Sequence, residues 1–156
     1  MNVSEDETYS IYTLLKEVFL LLDNGDRNLF QEFDLSVARF NALKHVINSN
    51  GIGPSELGNK MLCDKANITR LLDGMEKSSY IERIQDGTDG RRIQIRVNPE
   101  GEKLWRKARD EHGKSTRHRF DVLTADEQDT LSGFLMRMRN RLQDQLKEEQ
   151  SIKQVS

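Results

Sequence analysis

The stretch from Gly53 to Gly101 changes its hydrophobic period from helical to strand-like and back, and few architectures accept that order. Gly53-Pro54 introduces a short helical segment, Ser55 to about Leu62, with Leu57 and Met61 one helical turn apart. A second helix begins near Asp64, whose side chain can cap free backbone N–H groups. Ile68, Leu71, Leu72 and Met75 form its apolar stripe, and Ala66, Thr69, Arg70, Asp73 and Lys77 fall opposite. Two helices joined by a turn of about three residues make a helix-turn-helix. Ile81–Gln85 and Arg92–Val97 then read as strands, because Ile93, Ile95 and Val97 alternate with Gln94 and Arg96. The loop between them, Asp86 to Arg91, is rich in turn residues. Asn98-Pro99-Glu100 starts another helix: Asn as cap, Pro at the first helical position, an acid near the positive helix end. The expected fold is mainly α with a small β-hairpin wing, a winged helix-turn-helix with further helices at both termini.

The flanks read as helices. Residues 8–33 carry Ile11, Leu15, Val18, Phe19 and Leu22 at helical spacing, and Asn24-Gly25 is a point where this helix can kink or break. Ser36 is a candidate cap for a helix with Phe40, Leu43, Val46 and Ile47 on one face. Asn48-Ser49-Asn50-Gly51 stops it, with Gly51 suited to the left-handed position. A capping box at Thr124–Glu127 opens the last helix, whose seam is Leu131, Phe134, Leu135, Met138, Leu142 and Leu146. That helix is expected to fray after about Glu149. The whole chain, 1–156, reads as one domain. Residues 36–101 are expected to form a winged helix-turn-helix lobe that closes its own core. Residues 1–35 and 102–150 supply apolar seams for a second copy of the chain, so a homodimer is expected.

Net charge is −2, which taken alone argues against a nucleic-acid partner. Its distribution argues otherwise. Residues 1–35 hold eight acids against Lys16 and Arg27, whereas residues 86–119 hold ten bases against six acids. Local basic surface attracts phosphates even on a slightly acidic chain. The longest apolar run, Val18 to Leu22, is far short of a membrane span, and the acidic start (Glu5, Asp6, Glu7) does not resemble a secretory signal. A single cysteine, Cys63, excludes an intrachain disulfide and a cysteine-based zinc site, which points to a reducing cytoplasm.

The second helix of the pair presents a small or polar face that a major groove accepts. Asn67 and Arg70 can make bidentate bonds to base edges, and Thr69 can bond an edge or touch a thymine methyl. Lys65, Ala66, Asn67, Thr69 and Arg70 lie in the helix start that usually reaches deepest. Lys65 and Ser55, at helix N-termini, suit phosphate contacts, which position rather than specify. Arg91 and Arg92 sit at the hairpin tip, where an arginine can enter a narrow minor groove. Asp89 can hold a guanidinium there or cap the turn.

These residues resemble the MarR (multiple antibiotic resistance regulator) family. The resemblance rests on Ser55-Glu56-Leu57, Asn67 to Asp73, Ile81-Glu82-Arg83, Asp89-Gly90-Arg91 and Pro99-Glu100-Gly101, in that order, and covers nearly the whole chain. It implies a dimer, binding to pseudo-palindromic operators, and repression relieved by a small molecule or oxidant. It makes Asp89 and Arg91 the wing pair. Effectors of the family bind between the dimer helices and the DNA-binding lobe, where Tyr12, Phe19, Arg39, Phe40 and Trp105 fall; core packing accounts for the aromatic ones equally well. Two departures stand out: Ser79 and Leu62 occupy positions where many relatives have glycine.

Other readings are weaker. The oxidant-sensing branch carries its cysteine in the first helix, and Cys63 lies elsewhere, where a small buried hydrophobe is the default. His112 and His118 are six apart and do not share a helix face, so no histidine metal motif forms; no cofactor is implied. Acids such as Asp126, Glu127 and Asp129 belong to a helix start, and no nucleophile–base pair suggests an enzyme. The alternative function is a winged-helix protein-interaction module that does not bind DNA. Arg70 and Arg91 speak against it, since such a module needs neither.

Overall fold

The computed structural model describes residues 4–85 and 93–155. It contains α1 (Glu5–Gln31), α2 (Val37–Ser49), α3 (Pro54–Lys60), α4 (Lys65–Lys77), β1 (Ile81–Gln85), β2 (Ile93–Val97), α5 (Pro99–Phe120) and α6 (Ala125–Val155). The chain divides into two compact units, Met1–Gly113 and Lys114–Ser156. Among the described residues, the six helices and the two paired strands follow the order that the sequence implies.

Within the first unit the core gathers Phe40, Ala42, Leu43 and Val46 of α2, Leu57 of α3, Ile68, Leu72 and Met75 of α4, and Ile81 and Ile95 of the hairpin. Residues 36–101 do not close this core alone. Phe30 from α1 stacks on Phe40 with ring centroids 4.1 Å apart, and Trp105 from α5 lies against Phe40 at 6.1 Å. A half-buried contact between His112 Nε2 and Asp26 Oδ1, 3.1 Å, ties α5 to α1 beside these rings. The lobe therefore borrows one end of each flanking helix.

The rest of α1 is different. Ile11, Tyr12, Leu14, Val18, Phe19, Leu20 and Leu21 are exposed, and Phe30 is its buried residue. The helix runs unbroken through Asn24-Gly25. An ion pair between Asp23 and Arg27, 2.6 Å, spans that site one helical turn apart, and such pairs support a helix locally. A Ser4–Glu7 capping box starts it.

The second unit holds the end of α5 and all of α6. Thr124 and Glu127 form the expected capping box at the α6 start. Phe134, Leu135, Met138, Leu142 and Leu146 are exposed along one seam. Fraying after Glu149 is not observed, since α6 continues to Val155.

β1 and β2 pair antiparallel, with Ile81 opposite Val97 and Gln85 opposite Ile93. Ile52 adds a bridge to Ile95 through N–H···O=C bonds of 3.3 and 2.8 Å, so the segment before α3 is stitched to the hairpin. Ile95 is buried, but Ile93 is exposed near the hairpin tip.

Tight corners connect these pieces. Asn50, rather than Gly51, caps α2 in the left-handed conformation (φ 49°), and Gly51 follows at φ 113°. Leu62 and Ser79, the two departures from the glycines that the family resemblance leads one to expect, both adopt positive φ, 51° and 58°. The Asn98 backbone carbonyl accepts from Glu102, as a helix cap should, but its side chain donates instead to the Ser79 carbonyl at 3.3 Å. That bond holds the corner where Ser79 turns. Gly101 allows α5 to start against the same corner: a Cβ there would lie 2.2 Å from the Tyr80 carbonyl oxygen.

A left-handed conformation costs a side-chain-bearing residue about 1–2 kcal/mol, part of which glycine gives back as backbone entropy. Leu62→Gly and Ser79→Gly should each raise unfolding free energy by roughly 0.5–1 kcal/mol in urea titrations; an unchanged or lowered midpoint contradicts the strain argument. Gly101→Ala should lose about 2 kcal/mol or more, because the obstacle is backbone that cannot swing aside. A wild-type melting curve for that variant would show that the α5 start shifts freely.

Candidate nucleic-acid interface

The helix-turn-helix is built by opposing requirements on α4. Ile68, Leu72 and Met75 are buried, which fixes the helix about its axis. Lys65, Ala66, Asn67, Thr69 and Arg70 consequently lie together on an exposed face. Asp64 caps the helix: its Oδ1 accepts from the Asn67 backbone N–H at 2.8 Å. Ser55, exposed in the first turn of α3, starts a helix whose cap residue, Gly53, offers no side-chain bond.

The exposed face is internally bonded. Asn67 Nδ2 donates to Asp64 Oδ2 at 2.8 Å, and Arg70 Nη2 donates to Asn67 Oδ1 at 3.0 Å. Thr69 Oγ1 donates to the Lys65 carbonyl at 2.7 Å, which leaves the hydroxyl oxygen its lone pairs as acceptors. The sequence identified these residues by type but not their mutual bonds.

A second device was missed altogether. Arg83 on β1 reaches α4 with both arms, Nη2 to Asp73 Oδ1 at 2.6 Å and Nη1 to Glu76 Oε2 at 2.7 Å. One guanidinium thereby joins the wing strand to the second helix of the pair and neutralises acids on it. The signal was an arginine in a short strand following acids spaced three apart on the preceding helix. It could have been found from helix geometry only if the strand's side of approach were known. Asp89, Arg91 and Arg92 fall outside the described residues.

The expected effector residues do not converge. Tyr12 and Phe19 lie on the exposed part of α1, whereas Phe40 and Trp105 are packed in the core. Arg39 sits half-buried in the first turn of α2. The guanidinium of Arg109 stands 5.3 Å over the Trp105 ring. An open cleft of 820 Å³ lies elsewhere, lined by Asp23, Arg27, Leu35, Met61, Cys63 and Leu71 among others, and none of the expected effector residues lines it. Cys63 is partly buried there.

Close to the helix pair, burial pushes the His45 imidazole below its ordinary value, and the charges of Lys44 and Lys60 push it the same way. At the α6 start, the Thr124 backbone and hydroxyl hold the Glu127 carboxyl below the usual range.

A helix-turn-helix whose second helix is buried on one side and polar on the other, braced by a β-hairpin and followed by a packed helix, defines a winged helix-turn-helix protein. Residues 35–93 match the model of the MarR family. It is 26% identical over 142 residues to the multiple antibiotic resistance protein MarR of Salmonella typhimurium, covering 88% of this chain and 99% of that protein. AbsC, a MarR family transcriptional regulator from Streptomyces coelicolor, has a similar fold, with TM-score 0.81 and 21% identity over 92% of this chain and 99% of that one. A mutant of MarR from E. coli complexed with operator DNA superposes with TM-score 0.77 at 22% identity, covering 88% and 99%. No described helix is long and apolar enough to cross a membrane.

The lowered His45 value has a sign. The folded state favours neutral imidazole, so this contribution is complete above the unfolded histidine value and is lost as pH falls through the lower, folded one. Wild type should therefore lose more stability than His45→Gln between about pH 7.5 and pH 5. Equal losses in urea titrations at both pH values would show that His45 titrates alike in both states.

Proposed function

We propose that this chain is a homodimeric, sequence-specific regulator of transcription that binds double-stranded DNA. The observation that carries the reading is the single exposed face of α4 bearing Lys65, Ala66, Asn67, Thr69 and Arg70 opposite a buried stripe. In this reading α4 enters the major groove, Ser55 and Lys65 contact phosphate, and Arg91, with Asp89 and Arg92, reaches the minor groove. The operator complex of a MarR relative supports the reading by fold.

The dimer rests on physical grounds. The exposed apolar faces of α1 and α6 are costly in water, at about 25 cal/mol for each Å² left uncovered. A second copy of the chain is the occupant we propose for each of these faces, and it would set two α4 helices at a fixed spacing, as pseudo-palindromic half-sites require. The proposed mode is repression in the cytoplasm, without cofactor or catalysis, relieved by a small molecule. An effector must bind the spacing that DNA does not fit, or it shifts nothing. Trp105 has a buried indole N–H with no acceptor among the described residues, a group such a ligand could satisfy.

Sedimentation at micromolar concentration should give a dimer, and a monomer rejects the assembly. In titrations of operator and scrambled duplexes, Arg91→Ala should weaken binding to both. Arg70→Ala should cost the operator about 1–3 kcal/mol more than the scrambled duplex. Wild-type affinity in both variants would remove DNA contact from this face and favour a protein-interaction role.

A further inference from the structure

Asp64, Asn67 and Arg70 form a chain of hydrogen bonds along the exposed face of α4, and its polarity is fixed by chemistry. A carboxylate only accepts, so the Asn67 amide must turn its NH₂ toward Asp64. A guanidinium only donates, so the Asn67 carbonyl oxygen must face Arg70. The distances, 2.8 Å and 3.0 Å, agree with both assignments. Arg70 Nε also approaches the Ala66 carbonyl at 3.4 Å, which further restricts the guanidinium.

We infer that Asn67 is a positioning residue that orients Arg70 to read a guanine, and not itself a reader of adenine. Bidentate recognition of adenine needs an amide oxygen to accept from N6 and an amide N–H to donate to N7. On Asn67 that oxygen already accepts from Arg70 and one N–H already serves Asp64, so its neighbours fix how the amide is turned, and reading adenine would require the one remaining N–H and the one remaining lone pair to face the base together. Arg70 retains donors beyond those it gives Asn67 and Ala66, because a guanidinium carries five. Guanine, with O6 and N7 both accepting, is the base that such a group matches. Holding a long, flexible arginine in advance reduces the ordering cost that binding must meet. Asp64 thus has two tasks, one carboxylate oxygen on the helix backbone and the other on the amide that steers Arg70.

The inference rests on the proposed DNA binding and assigns roles within that face. The test is a double-mutant cycle on the full chain, using sites selected by the wild type from a random duplex pool. Asn67→Ala and Arg70→Ala both keep the backbone N–H that Asp64 caps, and a thermal melt of each confirms the fold. Arg70→Ala should lower affinity for the selected site roughly tenfold to a hundredfold and abolish the preference for guanine at one position in each half-site. Asn67→Ala should weaken the preference at that same position. In the Arg70→Ala background, adding Asn67→Ala should change affinity less than about twofold, as expected for residues acting through one another. The assignment is overturned if Asn67→Ala relaxes a different position, above all an adenine, or exerts its full effect without Arg70. A wild-type protein that enriches no sequence instead removes the DNA-binding reading, and this assignment with it.

Discussion

The burial of Ile68, Leu72 and Met75 against α2, α3 and the hairpin is the constraint on which the interface depends. Each such side chain is worth about 1.5–3 kcal/mol when fully buried. Together they outweigh any preference of the exposed turn by several fold, since solvent-exposed polar pairs contribute about 1 kcal/mol or less. The rotation of α4 about its axis is therefore set from behind. The polar residues on the outer face inherit their direction from the core and are free to be chosen for what they touch.

A second group of interactions fixes where that helix stands. Arg83 binds α4 to β1, the Ile52–Ile95 bridge binds the hairpin to the start of α3, and the Asn98–Ser79 bond pins the corner between α4 and β1. These devices come from widely separated parts of the segment and converge on one unit. The helix pair and the wing strands are thus braced as a body, while the aromatic stack of Phe30, Phe40 and Trp105 attaches that body to α1 and α5.

Much of this was legible in the residues. The change of period from helix to strand located the helix pair and hairpin, and Asp64, Ser36 and the Thr124–Glu127 box marked helix starts because capping is a local matter of one side chain and nearby N–H groups. Local rules also failed in places. Asn24-Gly25 did not interrupt α1, because propensity penalties near 1 kcal/mol yield to an ion pair and to the anchoring of Phe30. The left-handed cap of α2 fell on Asn50 rather than Gly51, where both residues tolerate positive φ and the sequence does not choose between them.

What the sequence by itself determined is the pattern: which residues are apolar at which spacing, hence the order of elements and the composition of the α4 face. Only the tertiary structure decided which groups meet. Arg83 finds Asp73 and Glu76 because β1 folds back along α4, and no periodicity records the side of approach. Phe40 and Trp105, aromatics for which ligand contact and core packing were equal readings, lie in the core because α1 and α5 close over α2. The pairing of Asp64, Asn67 and Arg70 lies between these cases. Its spacing is written in the chain, but the conformations that join these side chains depend on α4 being turned so that all of them face outward together.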